Sequence, residues 1–239
     1  MTSGSFPAAM NALNSESDDA SALSHPFLDV FPVSGAAVST LGEFLGSETL
    51  SASDAQAARI DEIQFDLGEG PCWDAMATAR PVLAPDLRAH PSTSWPAFSR
   101  AILDDDLGAI FAFPLVIGPL RIGAVDLYSR EPTELTETQS RQAAEMAGAV
   151  SRRVLRRAIM RMGGDGNNDD KSNSAFSRRV IHQATGMVLS QLDVAIDDAR
   201  LVIEGHAFAS NRSMMDVATD IVEGTLNFSV QNDGIEASQ

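Results

Sequence analysis

Apolar residues recur at helical spacing in three segments near the end of the chain. In 174–192 and in 213–228 they return every three or four positions, which places them along one side of a helix. A similar segment, 195–210, lies between them. Ser213 and Asp216 fit a helix start signal, because each side chain can satisfy an unpaired backbone donor. Short helices cover their apolar faces only against one another or a second copy of the chain, so the pattern predicts an all-α three-helix bundle.

The earlier part of the chain mixes strand-like and helix-like patterns. Small and β-branched residues in 35–41 and 43–53 predict two neighbouring strands. Further on, the pattern predicts the helix 52–64, a short helix from Trp73, the strand Val82–Ala84 and the helix Trp95–Leu107. These elements belong to an α+β fold.

Two apolar runs in the middle of the chain, 109–117 and 120–128, are separated by Gly118 and Pro119. They predict a hairpin whose strands are buried on both faces. Residues 134–161 then predict one long helix, with Thr136 at its start and arginines at its end, where they favour the helix dipole.

Composition sets the domain boundaries. Residues 1–23 predict a disordered lead with at most a short helix, and 24–161 form the sheet domain with its long helix. Residues 162–173 are rich in Gly, Asn and Asp and predict a flexible linker. The helical bundle takes 174–229, and 230–239 are predicted to be a disordered tail.

The chain has one cysteine, Cys72, and lacks both a long apolar run and a charged N-terminal leader. These features predict a cytoplasmic protein that does not enter a membrane. Its formal net charge is −16, from 17 basic and 33 acidic residues. Binding of a nucleic acid therefore requires a local basic patch. One candidate patch is Arg152, Arg153, Arg156, Arg157 and Arg161, which is equally consistent with a solvated helix face.

Residues 24–157 resemble a GAF domain, a six-stranded sensory module. The resemblance rests on 67–72 (LGEGPC), on Trp95, Pro96 and Phe98, and on the hairpin 114–129. It implies an antiparallel sheet with flanking helices that senses a small-molecule ligand or a partner.

The C-terminal bundle resembles an ANTAR domain, a helical RNA-binding module of transcription antitermination regulators. The resemblance rests on 177–191 (SRRVIHQATGMVLSQ), on 197–199 and on 207–218. A GAF domain joined to an ANTAR domain by a long helix is typical of actinobacterial regulators. This order implies signal transduction to an RNA-binding output that recognises tandem hairpins. The apolar stripe of the long helix further predicts a homodimer.

Recognition of an RNA hairpin loop requires cations for phosphates, polar groups for base edges, and small residues where the backbone comes close. The first helix of the bundle supplies these types, and the turn before the third helix adds two more. The candidate RNA-binding residues are Arg178, Arg179, His182, Gln183, Ala184, Gly186, Asn211 and Arg212. Gly186 equally fits close approach of another helix, and Asn211 with Arg212 equally fits a plain polar turn.

The bundle also departs from the ANTAR pattern. Thr185 stands where the family has a lysine, Glu204 where it has an arginine, and Ala195 where it has a Ser or Thr helix cap. Over 174–229 four arginines face seven acidic residues, a net charge of −3. The alternative hypothesis is therefore a ligand-binding or protein-interaction module whose ANTAR-like domain has lost RNA binding. DNA reading by the third helix is disfavoured, because all its charged residues are acids.

Catalytic, metal and cofactor sites are not predicted. Cys72 fits either a redox or attachment site or a buried small residue, and the aromatic side chains of the sheet domain fit a pocket or a core. The aromatic residues in question are Trp73, Trp95, Phe111 and Phe113. His25, His90, His182 and His206 have no metal-ligand spacing. Because no nucleophile and base are arranged together, we expect a protein that is not an enzyme.

Overall fold

The computed structural model describes residues 5–15, 20–42, 45–163, 179–210, 212–231 and 234–238. Its contacts divide the chain into two compact units, Met1–Phe176 and Ser177–Gln239. The predicted linker lies almost entirely outside the described residues. Among the helices that are described, none combines the length and the apolar character needed to cross a bilayer.

The first unit is an α+β domain. Its elements are α1 (Phe6–Asn14), a 3-10 turn (Ala20–Leu23), α2 (His25–Val30), β1 (Gly35–Thr40), β2 (Glu48–Ala52), α3 (Ala55–Leu67), α4 (Pro71–Thr78), β3 (Val82–Ala84), α5 (Pro96–Ala101), β4 (Ala109–Ile117), β5 (Leu120–Ser129) and α6 (Glu137–Gly163). This arrangement confirms the predicted fold class.

An antiparallel sheet in the order β2-β1-β5-β4-β3 is the centre of this unit. The resemblance implied six strands, whereas the described residues form five in this sheet. The strands β1 and β5 approach so closely at Gly123 that a Cβ there would lie 1.8 Å from the Ser39 carbonyl oxygen. Only glycine fits at that position.

Helices cover both faces of the sheet. One core cluster contains Val38, Phe111 and Phe113 together with residues of α1, α2 and α6, and another packs Ile110 and Tyr128 against α3 and α5. Strands buried on both faces lose the alternation of apolar and polar residues. This explains the two continuous apolar runs, and confirms the predicted hairpin.

The long helix α6 begins where the sequence predicts. Thr136 and Gln139 cap it reciprocally: the Thr136 backbone N–H donates to Gln139 Oε1 (2.9 Å), and the Gln139 N–H donates to Thr136 Oγ1 (3.2 Å). Its apolar stripe, including Met146 and Val150, is buried in the core of its own unit. The prediction that this stripe forms a dimer surface is therefore wrong for the buried positions.

The N-terminal lead contains a short helix, which the prediction allowed. Residues 6–14 form α1, and the Ser5 hydroxyl accepts a bond from the Ala8 N–H. Ala9 and Leu13 are buried against the core that contains α6. Burial of these two side chains explains why a stretch of polar composition is ordered here.

The second unit contains α7 (Arg179–Leu192), α8 (Ile196–Ser210), α9 (Met214–Glu223), β6 (Asn227–Gln231) and β7 (Gly234–Ser238). Buried residues of all three helices form one core cluster, which confirms the bundle. Ser213 caps α9 as predicted, accepting from the Asp216 N–H at 3.0 Å.

Two expectations for the end of the chain are corrected. The third helix ends at Glu223 because Gly224 takes a left-handed conformation (φ 77°). Residues 227–231 and 234–238 pair as the strands β6 and β7, where a helix end and a disordered tail were expected. The Phe228 side chain is buried in the bundle core, and its N–H donates to Gln191 Oε1 at 3.0 Å.

Candidate functional site

The outward face of α7 carries the candidate RNA-binding residues. His182, Gln183 and Gly186 are exposed, whereas Ile181 and Val188 are buried in the bundle. Positions three or four apart on a helix share a face, so Arg179 stands on the same face as His182 and Gly186. Arg178 and Asn211 lie outside the described residues.

Ala184 does not belong to this surface. It is 0% exposed and packs in the bundle core, so the structure contradicts its predicted place in an RNA contact. The reason is the helix period, which turns position 184 inward beside Ile181 and Val188. Thr185 is buried as well, and its hydroxyl donates to the Ile181 carbonyl at 2.8 Å. The family lysine that Thr185 replaces would therefore stand at a position that is buried in this bundle.

Packing among the described residues does not explain Gly186. A Cβ at this position would meet no atom within 4 Å, and the residue is exposed. The alternative that another described helix approaches Gly186 is thus excluded. Glycine inside a helix costs about 1 kcal/mol relative to alanine, and here the chain gains no internal contact in return.

Two arginines of this unit have described side chains, and both pair with acids. Arg212 Nη1 lies 2.7 Å from Asp220 Oδ2, and Arg200 Nε lies 2.7 Å from Glu204 Oε1. Arg212 also donates its backbone N–H to the Ala207 carbonyl at 3.0 Å. Arg212 thus joins the end of α8 to α9, through its backbone N–H on one side and its guanidinium on the other.

The charge reversal at Glu204 is balanced locally by Arg200, one helical turn away. The side chains of Arg178 and Arg179 lie outside the described residues, so their place in an RNA contact stays a prediction.

A buried polar cluster lies between α3, α4 and the sheet in the first unit. Gln64 connects two of its members: its Nε2 donates to Asp126 Oδ2 (2.5 Å), and its Oε1 accepts from the Cys72 backbone N–H (2.9 Å). Asp61 accepts bonds from the Ser39 hydroxyl (2.5 Å) and from the Thr49 hydroxyl.

Gly70 leaves room for the Gln64 side chain. A Cβ on Gly70 would lie 2.7 Å from Gln64 Oε1, and the residue has a φ of 136°. This explains the second glycine of the LGEGPC segment in physical terms.

Asp126 is the least satisfied member of this cluster. It stands in β5 between Ala37 of β1 and Ala112 of β4, and its buried Oδ1 has no hydrogen-bond partner among the described residues. Burial, and secondarily the Asp61 carboxylate, raise the pKa of Asp126 to about 8, against the opposing effect of the Gln64 bond. Burial also raises the pKa of the Cys72 thiol, with added effects from Asp126 and Asp61.

Sequence reasoning missed Asp61, Gln64 and Asp126. The available signal was a lone acid inside the apolar run of β5, a strand predicted to be buried on both faces. The aromatic residues follow the core interpretation: Phe111, Phe113 and Trp95 are buried. Trp95 Nε1 donates to Asp74 Oδ2 (2.8 Å), and the half-buried Trp73 donates to the Gln64 carbonyl (2.7 Å). In the described part of the chain, no cluster of His, Cys, Asp or Glu could hold a metal ion.

Comparison with known families agrees with this geometry. The model of the GAF domain matches residues 27–154, more than half of the 239 residues. The chain belongs to the GAF domain family. The model of the ANTAR domain matches residues 173–222, which span the helical bundle. A GAF sensor domain followed by an ANTAR domain is the composition of a signal-transducing regulator.

Solved structures support the fold of the GAF domain. The chain is similar to the GAF domain of a phosphoenolpyruvate-protein phosphotransferase from Acinetobacter, with 11% identity and a TM-score of 0.51 over 67% of this chain and 94% of that one. The GAF domain of the corresponding Coxiella burnetii protein gives 11% identity and a TM-score of 0.51 over 65% and 93%. At such identity the likeness shows the fold alone. No curated protein matches the chain.

Proposed function

We propose that this regulator binds structured RNA through the outward face of α7 and thereby controls transcription termination. The GAF domain senses a small molecule or a partner and governs the ANTAR domain, and the protein works as a homodimer. The observation that supports RNA binding most directly is the exposed row of His182, Gln183 and Gly186 on α7, at the helix end that begins with Arg179.

The chemistry of this row fits a splayed RNA loop. His182 and Gln183 offer a ring for stacking and an amide for base edges, and both are exposed. Gly186 leaves the helix backbone open to a ligand, because a Cβ there would have no atom of the described residues within 4 Å. Arg178 and Arg179 supply positive charge beside them, which the acidic bundle requires for phosphate contact.

A paired substitution tests this proposal. Arg178→Ala with Arg179→Ala removes two cations from the sequence at the start of α7, so affinity for a tandem-hairpin RNA should fall. The slope of log affinity against log salt should shrink by about 1.4, since each phosphate contact on single-stranded RNA contributes about 0.7.

Arg200→Ala is the matched control. Arg200 is an arginine of the same unit, but it lies on α8 and already pairs with Glu204. It should leave the salt slope unchanged. An equal loss of slope in the Arg200 variant would contradict the assignment of the site to α7.

The second candidate function is an interaction module whose ANTAR domain does not bind RNA. Pairing of Arg200 and Arg212 with acids, together with the buried Thr185, favours it. Absence of salt-sensitive RNA binding by the unaltered protein would select this function.

A further inference from the structure

One side of α8 exposes two large apolar side chains. Leu201 and Phe208 are 62% and 74% exposed, and Gly205 lies between them on the same side of the helix. We use the name α8 face for Leu201, Val202, Gly205, Phe208 and Ala209. Exposed aromatic and aliphatic side chains grouped in this way mark interaction surfaces.

A groove adjoins this face. Its volume is about 240 Å³, and it is lined by Leu201, Val202, Gly205 and His206 of α8 and by Phe228, Ile235 and Ala237 of the terminal hairpin. A cavity of about 150 Å³ already holds benzene in other proteins, so this groove has room for a phenyl ring. Phe208 lies on the α8 face beside this groove, and its side chain is exposed to solvent.

We propose that the α8 face pairs with the same face of a second copy of this chain. In the pairing the two helices run antiparallel and cross at Gly205, and Phe208 of each copy enters the groove of the other. A two-fold interface requires one surface to carry both a projection and its complement. Antiparallel pairing about Gly205 places position 208 opposite 202 and position 201 opposite 209, so apolar residues meet apolar residues on both sides.

Charge supports this arrangement over a parallel one. Antiparallel pairing places Asp197 and Asp198, in the first turn of α8, opposite the last turn of the partner's α8, which carries no acid. Parallel pairing would instead place Asp197 and Asp198 against their own copies.

Gly205 gives a second, independent argument. A Cβ at Gly205 would meet no described atom within 4 Å, so packing in the described part of the chain does not require glycine there. Two helices approach each other most closely where small residues meet. The inference concerns the homodimer that the proposed function includes, but it does not depend on RNA binding.

Sedimentation of the full chain without RNA tests the proposal. The unaltered protein should dimerise, and Phe208→Ala should weaken the dimer at least about tenfold, since buried aromatic anchors dominate interfaces and this one occurs twice. Leu103→Ala is the matched control, because Leu103 is 76% exposed but lies in the first unit. It should leave the dimer unchanged.

A substitution at the crossing point separates dimer loss from misfolding. Gly205→Gln should make α8 more stable as a helix, because glutamine favours a helix more than glycine does and its Cβ would meet no described atom within 4 Å. The same side chain should weaken the dimer, because it would hold the two helices apart at their crossing point. Helix content and thermal unfolding, measured by circular dichroism, check the first effect.

Disulfide cross-linking tests the geometry. Gly205→Cys, treated with the thiol oxidant diamide, should give a covalent dimer, while Ser190→Cys, exposed on α7, should not. The unaltered protein controls for Cys72, which is buried.

A monomer at tens of micromolar would overturn the proposal, and so would a dimer that resists both Phe208→Ala and Gly205→Gln. A monomer whose RNA affinity falls with Phe208→Ala would assign the face to RNA and likewise overturn it. Failure of RNA binding with an intact, Phe208-dependent dimer would refute only the proposed function.

Discussion

Replacing Asp126 with asparagine perturbs the buried carboxyl cluster of the GAF domain. The pKa of Asp126 in the folded protein is raised to about 8, chiefly by burial. In an unfolded chain an aspartate titrates near 3.9. Between these values the folded state holds a proton that the unfolded state has lost. The free energy of unfolding therefore falls as pH rises through this window, and stops falling above pH 8.

The expected magnitude follows from the width of the window. Each pH unit within it is equivalent to about 1.4 kcal/mol, so from pH 5 to pH 8 Asp126 lowers the free energy of unfolding by up to about 4 kcal/mol. Asparagine does not titrate, and its amide oxygen can still accept the bond from Gln64 Nε2. The stability of Asp126→Asn relative to the unaltered protein should thus grow by about 4 kcal/mol over this range.

Denaturant unfolding followed by tryptophan fluorescence measures this difference. Both tryptophans, Trp73 and Trp95, belong to the GAF domain, so the signal reports on the relevant unit. A difference in stability that stays constant from pH 5 to pH 8 would refute the reasoning. Asp61→Asn is a second test. Loss of the Asp61 charge should lower the pKa of Asp126 and so narrow the pH range over which the free energy of unfolding falls.

Three further predictions concern stability and reactivity. Cys72 should react with a thiol reagent at least about a hundredfold more slowly than a free thiol, because it is buried and its pKa is raised; release in denaturant provides the control. Ala195→Ser should stabilise the ANTAR domain by about 1 kcal/mol in thermal unfolding by supplying a cap for α8, and no gain would show that the position is not a cap. Gly123→Ala should destabilise the GAF domain by about 3 kcal/mol or more, because its Cβ would collide with the Ser39 carbonyl oxygen; unchanged fluorescence unfolding would contradict this.

The elements with the strongest local signals were predictable. The reciprocal cap of Thr136 and Gln139 fixes the start of α6, and Ser213 fixes that of α9. The strand β3 has the predicted bounds, Val82–Ala84. At the two helix starts the decisive interactions lie within three residues of sequence.

Elements that depend on distant contacts were not predictable. The helix α5 ends at Ala101, before the predicted Leu107, and Asp105 and Asp106 beyond it pair with Arg59 and Arg88. The terminal hairpin is held through Gln191 of α7. These partners lie far away in sequence.

The candidate RNA site also combines features that local sequence predicts with features that depend on distant contacts. The helix period assigns His182, Gln183 and Gly186 to one face and Ala184 to the core, so attention to periodicity alone would have removed Ala184 from the site. The pairing of Arg212 with Asp220 needs the turn geometry between two helices and has no local signal. The buried acids of the GAF domain come from α3 and β5, which only the fold brings together.

The central claim is that the ANTAR domain binds structured RNA. The most direct measurement is the affinity of the full-length protein for a tandem-hairpin RNA at several salt concentrations, with duplex DNA of equal length as the control. The account predicts RNA binding that weakens steeply as salt rises, and much weaker binding to DNA. Failure to bind the RNA even at low salt, or equal affinity for the DNA duplex, would contradict it.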